Sequence, residues 1–285
     1  MVQQIPLSPE ARADRDEDAI GHEIAPDLAY ARIGIVNVVL AGERDAGDRG
    51  WVLIDAGLPG TSKVIQAAAL ERFGEGARPS AIVMTHGHFD HVGALEDLAQ
   101  RWDVPVYAHP DEAPYLEGRE SYPPPDPKAG GGLMALSSSW FPTAPVNVSR
   151  RLRLLPQDGR VPPMPGWRWI HTGGHTQGHI SLWRERDRAL IVGDAFVTTA
   201  QESVYAALTQ AAEMHGPPMY FTPDWISARE SVRRLAALEP ELVVTGHGRP
   251  MRGEKMRHAL VQLARDFDDI AVPKHGRYTP AGMQG

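Results

Sequence analysis

Apolar residues fall in short runs along the chain, separated by polar residues, glycine and proline. Leu28 to Ile33, Ile35 to Leu40 and Trp51 to Ile54 are runs of this kind bounded by turn residues; they predict three strands of a meander, with Ala41 to Gly50 as its polar hairpin loop. The spacing then becomes helical. Thr61 or Ser62 is placed to cap a helix reaching about Phe73, with Val64, Ile65, Ala68 and Leu70 on its apolar face. Strand and helix alternate next: Ala81 to Met84 reads as a buried strand, Val92 to Trp102 as a helix and Val104 to Ala108 as a further strand, the order of a layered α/β protein.

That rhythm stops at Pro110. From there to Pro165 the chain is rich in proline and glycine, with Pro123 to Pro125, Gly130 to Gly132, Tyr115, Tyr122, Trp140 and Phe141, and loops this long are usually functional or disordered. Strands resume at Trp167 to His171, Ile180 to Trp183, Ala189 to Val192 and Leu242 to Thr245, with helices at about Pro223 to Leu238 and Gly253 to Ile270. The organisation expected is an acidic N-terminal extension over residues 1–24, one domain over 25–272 carrying a substrate-loop insertion at about 110–165, and a tail over 273–285.

Composition narrows the function classes. With 285 residues and 42% hydrophobic content the chain is long enough to bury a substantial core. No apolar run approaches the roughly 20 residues of a membrane-spanning helix, so no membrane partner is expected. The start of the chain, with Glu10, Asp14, Asp16, Glu17 and Asp18, lacks the basic and apolar regions of a secretory signal, and a cytoplasmic location is expected. The absence of cysteine removes disulfides and every thiolate metal site. A net charge of -7 opposes the attraction to phosphate on which nucleic-acid binders rely, so nucleic acid is not an expected partner.

The chemistry concentrates in Thr85-His86-Gly87-His88-Phe89-Asp90-His91, where a buried strand gives way to a helix. Imidazole and carboxylate are ligands that zinc, iron and manganese accept, and Gly87 lets the backbone turn tightly enough to converge them. Three more ligand-type residues, each at a predicted strand end beside glycine, complete the pattern: Gly174-His175-Thr176, Gly193-Asp194-Ala195 and Gly246-His247-Gly248. His179, four residues after His175, and His215, near Tyr220, are candidates for supporting the site or lining its pocket.

The ordered set Asp55, His86-x-His88-x-Asp90-His91, His175, Asp194 and His247 resembles the metallo-β-lactamase superfamily over about residues 25 to 250. The resemblance implies a four-layer αββα sandwich of two mixed sheets flanked by helices, an α/β fold that some schemes class as α+β. It also implies two divalent metal ions, with zinc expected and iron or manganese as alternatives. By position, His86, His88 and His175 hold the first ion, Asp90, His91 and His247 the second, and Asp194 bridges both, while Asp55 orients a ligand histidine. Two such ions would supply a hydroxide near neutral pH, since metal binding lowers the pKa of water from about 15.7 toward 7. Asp90 or Asp194 is the residue expected to pass a proton to the leaving group.

The substrate is set by surrounding loops. The aromatic stretch from Tyr115 to Phe141, with Phe89, Phe196 and Tyr220, suggests a small, partly apolar molecule, and an ester, lactone or thioester is the first choice. Val197 stands where related lactonases carry tyrosine, the run after Asp194 lacks the Gly-Cys-Gly-Arg-like stretch of glyoxalase II and the persulfide dioxygenases, and Asp194 replaces the cysteine of the commonest β-lactamase subclass. A mononuclear iron oxygenase of the persulfide dioxygenase type and a glyoxalase II-like thioesterase are the alternatives. A homodimer is an option that the sequence leaves open.

Overall fold

In the computed structural model the strands form where β-branched and apolar residues run together, and the structure describes residues 5–14, 21–130, 135, 138–199 and 212–279. Parts of the expected N-terminal extension, the 110–165 insertion, with Gly131 and Gly132, and the tail lie outside the described residues. Contacts divide the described chain into two compact units, one drawn from Asp14–Tyr122 and Thr143–Arg168, the other from Met1–Ala13, Pro123–Pro142 and Trp169–Gly285.

The first unit is built on a seven-stranded sheet. Its order is Gly21–Ala25, Leu28–Ile33, Val36–Ala41, Val52–Ile54, Ala81–Val83, Val106–Ala108 and Leu152–Leu154. The first four strands pair antiparallel as hairpins, and the rest join in parallel, as crossover connections require. Helices Ser62–Phe73 and Leu95–Trp102 supply Ile65, Ala68, Phe73, Leu95, Leu98 and Trp102 to the apolar core that also takes Leu40, Trp51, Leu53 and Ile82. Trp51 stacks on Phe73 at 4.4 Å and meets the edge of Trp102 at 5.7 Å.

Several local details differ from the sequence reading. Ile65 and Ala68 are buried on the first helix as expected, but Val64 and Leu70 are exposed, because the buried face continues through Ala69, Arg72 and Phe73. Thr61 stands at the helix start, but its hydroxyl donates to the Leu58 carbonyl at 2.6 Å rather than accepting from the first turn. The helix expected over Val92 to Trp102 is two pieces, Phe89–Val92 and Leu95–Trp102. At the break a Cβ on Gly93 would lie 2.1 Å from the Pro59 nitrogen, so the close approach of Leu58 and Pro59 requires glycine there. Leu152–Leu154 was hidden inside the expected loop and is the parallel edge strand beside Val106–Ala108.

The second unit carries a five-stranded sheet in the order Met251–Arg252, Leu242–Thr245, Ala189–Gly193, Ile180–Arg184, Trp167–His171. Helix Trp225–Ala236 begins at Asp224, whose carboxylate accepts from the Ile226 and Ser227 backbone N–H groups at 3.1 and 3.0 Å. Helix Gly253–Arg265 packs with it, and Trp225, Val232, Leu235, Leu260 and Phe267 share a core with Leu190, Val192 and Val243. Among the described residues no helix is long and apolar enough to cross a membrane.

Candidate metal centre

Four of the candidate ligands follow the strand Ala81–Val83 of the first unit. His86, His88, Asp90 and His91 are all buried. His88 occupies the position before the short helix Phe89–Val92 in an extended conformation, and its carbonyl accepts from the N–H groups of His91 at 2.9 Å and Val92 at 3.0 Å. One tight turn thus gathers three imidazoles, with the His86 ring 4.9 Å from that of His88 and 4.2 Å from that of His91.

Asp55 holds this turn from the neighbouring strand end. It is a buried residue in the left-handed region at φ 61°, a conformation that costs a non-glycine residue of order 1–2 kcal/mol and persists only where the surroundings fix it. Its carboxylate accepts from the Thr85 N–H at 2.8 Å, the Thr85 hydroxyl at 2.7 Å and His91 Nδ1 at 2.9 Å. Proton order follows from these partners. Thr85 gives its hydroxyl proton to Asp55, so its oxygen accepts from His86 Nδ1 at 3.0 Å. Both His86 and His91 therefore carry their proton on Nδ1 and present Nε2 as the ligand-type nitrogen.

The second unit repeats the principle with different supports. Thr222 donates its hydroxyl to the Pro218 carbonyl at 2.8 Å, and accepts from His175 Nδ1 at 3.1 Å, which again leaves Nε2 as the electron-pair nitrogen. Gly174, at φ 129°, precedes His175 where a Cβ would lie 2.4 Å from the Ala228 nitrogen, so helix Trp225–Ala236 closes directly on this turn. Asp194 Oδ2 lies 3.5 Å from His175 Nε2 and 3.1 Å from His247 Nε2. The His175 Nε2 lone pair repels the carboxylate oxygen that it faces, so this pairing favours a cation between them. A donor set of imidazoles and carboxylates with fixed Nδ1 protons fits a divalent ion such as zinc, iron or manganese.

His179 has a different task. Asp194 N–H donates to its Nε2 at 2.8 Å, its Nδ1 meets Thr172 Oγ1 at 2.8 Å, Thr172 meets Ser181 Oγ at 3.1 Å, and Ser181 donates to the Val192 carbonyl at 2.7 Å. Both ring nitrogens are engaged in orienting the Asp194 backbone. His247 is steadied through its carbonyl, which accepts from the Thr245 hydroxyl at 2.6 Å and the Thr198 N–H at 3.1 Å. His215 is buried and pairs by backbone with Val197, its Nδ1 lying 3.1 Å from the Gly216 carbonyl. Phe196 is fully buried in the apolar core of the second unit. Tyr220 is buried beside Phe141 and Phe221, with ring centroids 6.0 and 5.2 Å away.

Glu112, which the sequence did not single out, and Tyr122, which it placed in the aromatic substrate loop, also meet the histidine turn. Glu112 and Tyr122 hydrogen-bond to each other, and the Gly87 N–H points at both, 2.9 Å from Glu112 Oε2 and 3.0 Å from the Tyr122 oxygen. Burial, and then the Glu112 charge, push the Tyr122 phenol well above the usual tyrosine value, so it remains a donor. The sequence held one partial signal: a glycine between two ligand-type histidines asks what approaches its backbone.

Comparisons with known proteins identify the family. Residues 31–247 match the model of the metallo-beta-lactamase superfamily, and the chain belongs to that family. Among its relatives is the probable metallo-hydrolase YflN of Bacillus subtilis (strain 168), 46% identical over 250 residues that cover 88% of this chain and 94% of the relative. A beta-lactamase domain protein from Burkholderia ambifaria shares the fold at a TM-score of 0.61 and 21% identity, covering 92% of this chain and 79% of its own. TTHA1623 in a di-iron-bound form shares it at 0.51 and 24%, covering 83% and 96%. The expected fold class, α/β with mixed sheets and helices of the metallo-β-lactamase type, is that of these neighbours.

Proposed function

We propose that this chain is a metal-dependent hydrolase that uses two divalent ions to cleave an ester, lactone or thioester of a small, partly apolar substrate. The observation that carries the reading is the common proton order of His86, His91 and His175, each with Nδ1 tied to a fixed acceptor, together with Asp194 facing two imidazole Nε2 atoms. In this reading His86, His88 and His175 hold one ion, Asp90, His91 and His247 the other, and Asp194 serves both. Zinc is the expected metal, with iron or manganese as alternatives. When bound, such ions supply Lewis acidity that makes water ionise near neutral pH and polarises the scissile carbonyl.

The protein supplies orientation and proton transfer. Asp55, Thr85 and Thr222 fix the imidazole rings, and His179 fixes the Asp194 backbone, so little reorganisation remains for the reaction. Asp194, or Asp90, takes a proton from water at a carboxylate oxygen and returns it to the leaving group. The cluster of Phe141, Tyr220 and Phe221 supports an apolar acyl or ring portion in the substrate. The name of the YflN relative agrees with hydrolysis, and that of the di-iron TTHA1623 with two ions.

The test is elemental analysis of protein purified without added metal, followed by assays on aryl esters, lactones and thioesters. About two metals per chain, with turnover lost to chelator and restored by zinc, is the expected result. A single iron with oxygen uptake and no hydrolysis overturns the reading in favour of a mononuclear oxygenase.

A further inference from the structure

Glu112 is completely buried and ends the turn Pro110–Glu112, from which helix Ala113–Leu116 continues. A buried carboxylate is expensive to keep unless its surroundings use it. Here it accepts from the Tyr122 hydroxyl and from the Gly87 N–H at 2.9 Å. The same N–H lies 3.0 Å from the Tyr122 oxygen, so one backbone donor is shared between the two side chains. Tyr122 is itself held: its ring stacks on Tyr115 at 3.9 Å and 15° between planes, and meets the His88 ring at 4.6 Å and 64°. The approach is close enough that a Cβ on residue 87 would lie 2.5 Å from the Tyr122 oxygen and 3.3 Å from Glu112 Oε2. A side chain at position 87 would therefore push Tyr122 and Glu112 off this backbone, and the contact itself accounts for glycine between His86 and His88.

We propose that Glu112 and Tyr122 are positioning residues of the metal site: together they clamp the Gly87 backbone between its two histidines, and the Tyr122 ring fixes the plane of His88. The inference rests on the reading of His86 and His88 as metal ligands. It adds a support for His88 in the part of the turn that Asp55 does not touch, since Asp55 acts on Thr85 and His91. Neither residue touches substrate in this proposal; both act through the histidines.

The experiment compares the full-length protein with its Glu112→Ala, Glu112→Gln, Tyr122→Phe and His88→Ala variants. Zinc affinity is measured by competition with a chromogenic chelator, ligand geometry by the visible spectrum after cobalt substitution, and stability by melting of the metal-free forms. Glu112→Ala should lower zinc affinity about 10–100-fold, as loss of a support behind a ligand does. Glu112→Gln keeps an oxygen that accepts from Gly87 and should restore affinity to within about threefold of the parent, less than one ordinary hydrogen bond is worth. Tyr122→Phe keeps the ring but drops the hydroxyl; it should cost about 2–10-fold and shift the cobalt spectrum, and it carries the test if Glu112→Ala folds poorly. The proposal is overturned if these variants bind zinc as the parent does with the same cobalt spectrum. It is overturned equally if affinity falls only in step with metal-free melting while the spectrum of the loaded fraction stays put. If His88→Ala weakens zinc binding but the clamp variants do not, the clamp alone fails; if the parent binds none of zinc, iron and manganese, the metal reading fails with it.

Discussion

The two ligand sets are supported by different chemistry. In the first unit the turn from His86 to His91 is held by buried carboxylates, Asp55 and Glu112, reached from other elements. In the second, His175, Asp194 and His247 stand at three separate strand ends and are steadied by neutral groups: Thr222, Thr198, Thr245, and the relay from Ser181 through Thr172 to His179. A ligand histidine backed by a carboxylate is more basic and more firmly oriented than one backed by a hydroxyl. In the first set that backing falls on His91 alone, since His86 rests on the Thr85 hydroxyl and Glu112 holds the Gly87 backbone; the charge difference between the two sets therefore acts through Asp55 and His91.

That contrast breaks or sharpens under substitution. The largest effect is expected for Asp55→Ala, which strips an acceptor from three donors and should lower metal affinity or turnover roughly 10–100-fold, read by chelator competition and steady-state assay. Next is His179→Ala. It leaves the Asp194 N–H without its acceptor, takes one of two partners from the Thr172 hydroxyl, and should cost about 1–3 kcal/mol in chemical unfolding, with a smaller change in metal affinity. Thr222→Val is smaller, about 1 kcal/mol or a fivefold loss of zinc affinity, because one neutral hydrogen bond to His175 disappears. If Thr222→Val proves as damaging as Asp55→Ala, the distinction between the two supports is wrong.

The smallest effect lies away from both sets. Buried Arg72 donates to the Pro26 and Gly42 carbonyls at 2.9 Å each and pairs with half-exposed Glu23 at 3.0 Å, and this hydrogen bond holds the Glu23 carboxyl below its usual value. A lowered folded pKa means that the pair stabilises above the unfolded value near 4.5 and loses that contribution as pH falls toward the folded one. Glu23→Gln should cost roughly 0.2–1 kcal/mol at neutral pH, and its melting temperature should fall less steeply between pH 5 and 3, about the window of that protonation.

Legibility in the sequence followed the range of the interactions. The His86 to His91 turn could be read from its own residues, because four of six neighbouring positions carry the ligand chemistry. His175, Asp194 and His247 were readable only as an ordered family pattern with glycine beside each. Glu112 carried no local mark: its role depends on a backbone donor 25 positions earlier, and nothing in Pro-Asp-Glu-Ala-Pro announces that contact. The strand Gly21–Ala25 escaped for a related reason. Its residues Gly-His-Glu-Ile-Ala bury only Ile24, so the polar pattern resembles a continuation of the acidic start, and pairing with Leu28–Ile33 makes it a strand. The exposed Leu70 shows the converse, an apolar residue that periodicity assigned to a face the packing did not use.

Every contact described for the first set falls between Asp55 and Tyr122, a single continuous stretch of chain. Biosynthesis runs in that order. The ribosome delivers the histidine turn, Asp55, Glu112 and Tyr122 before His175 has been translated, so the information that shapes half of the ligand constellation is complete while the other half has yet to be made.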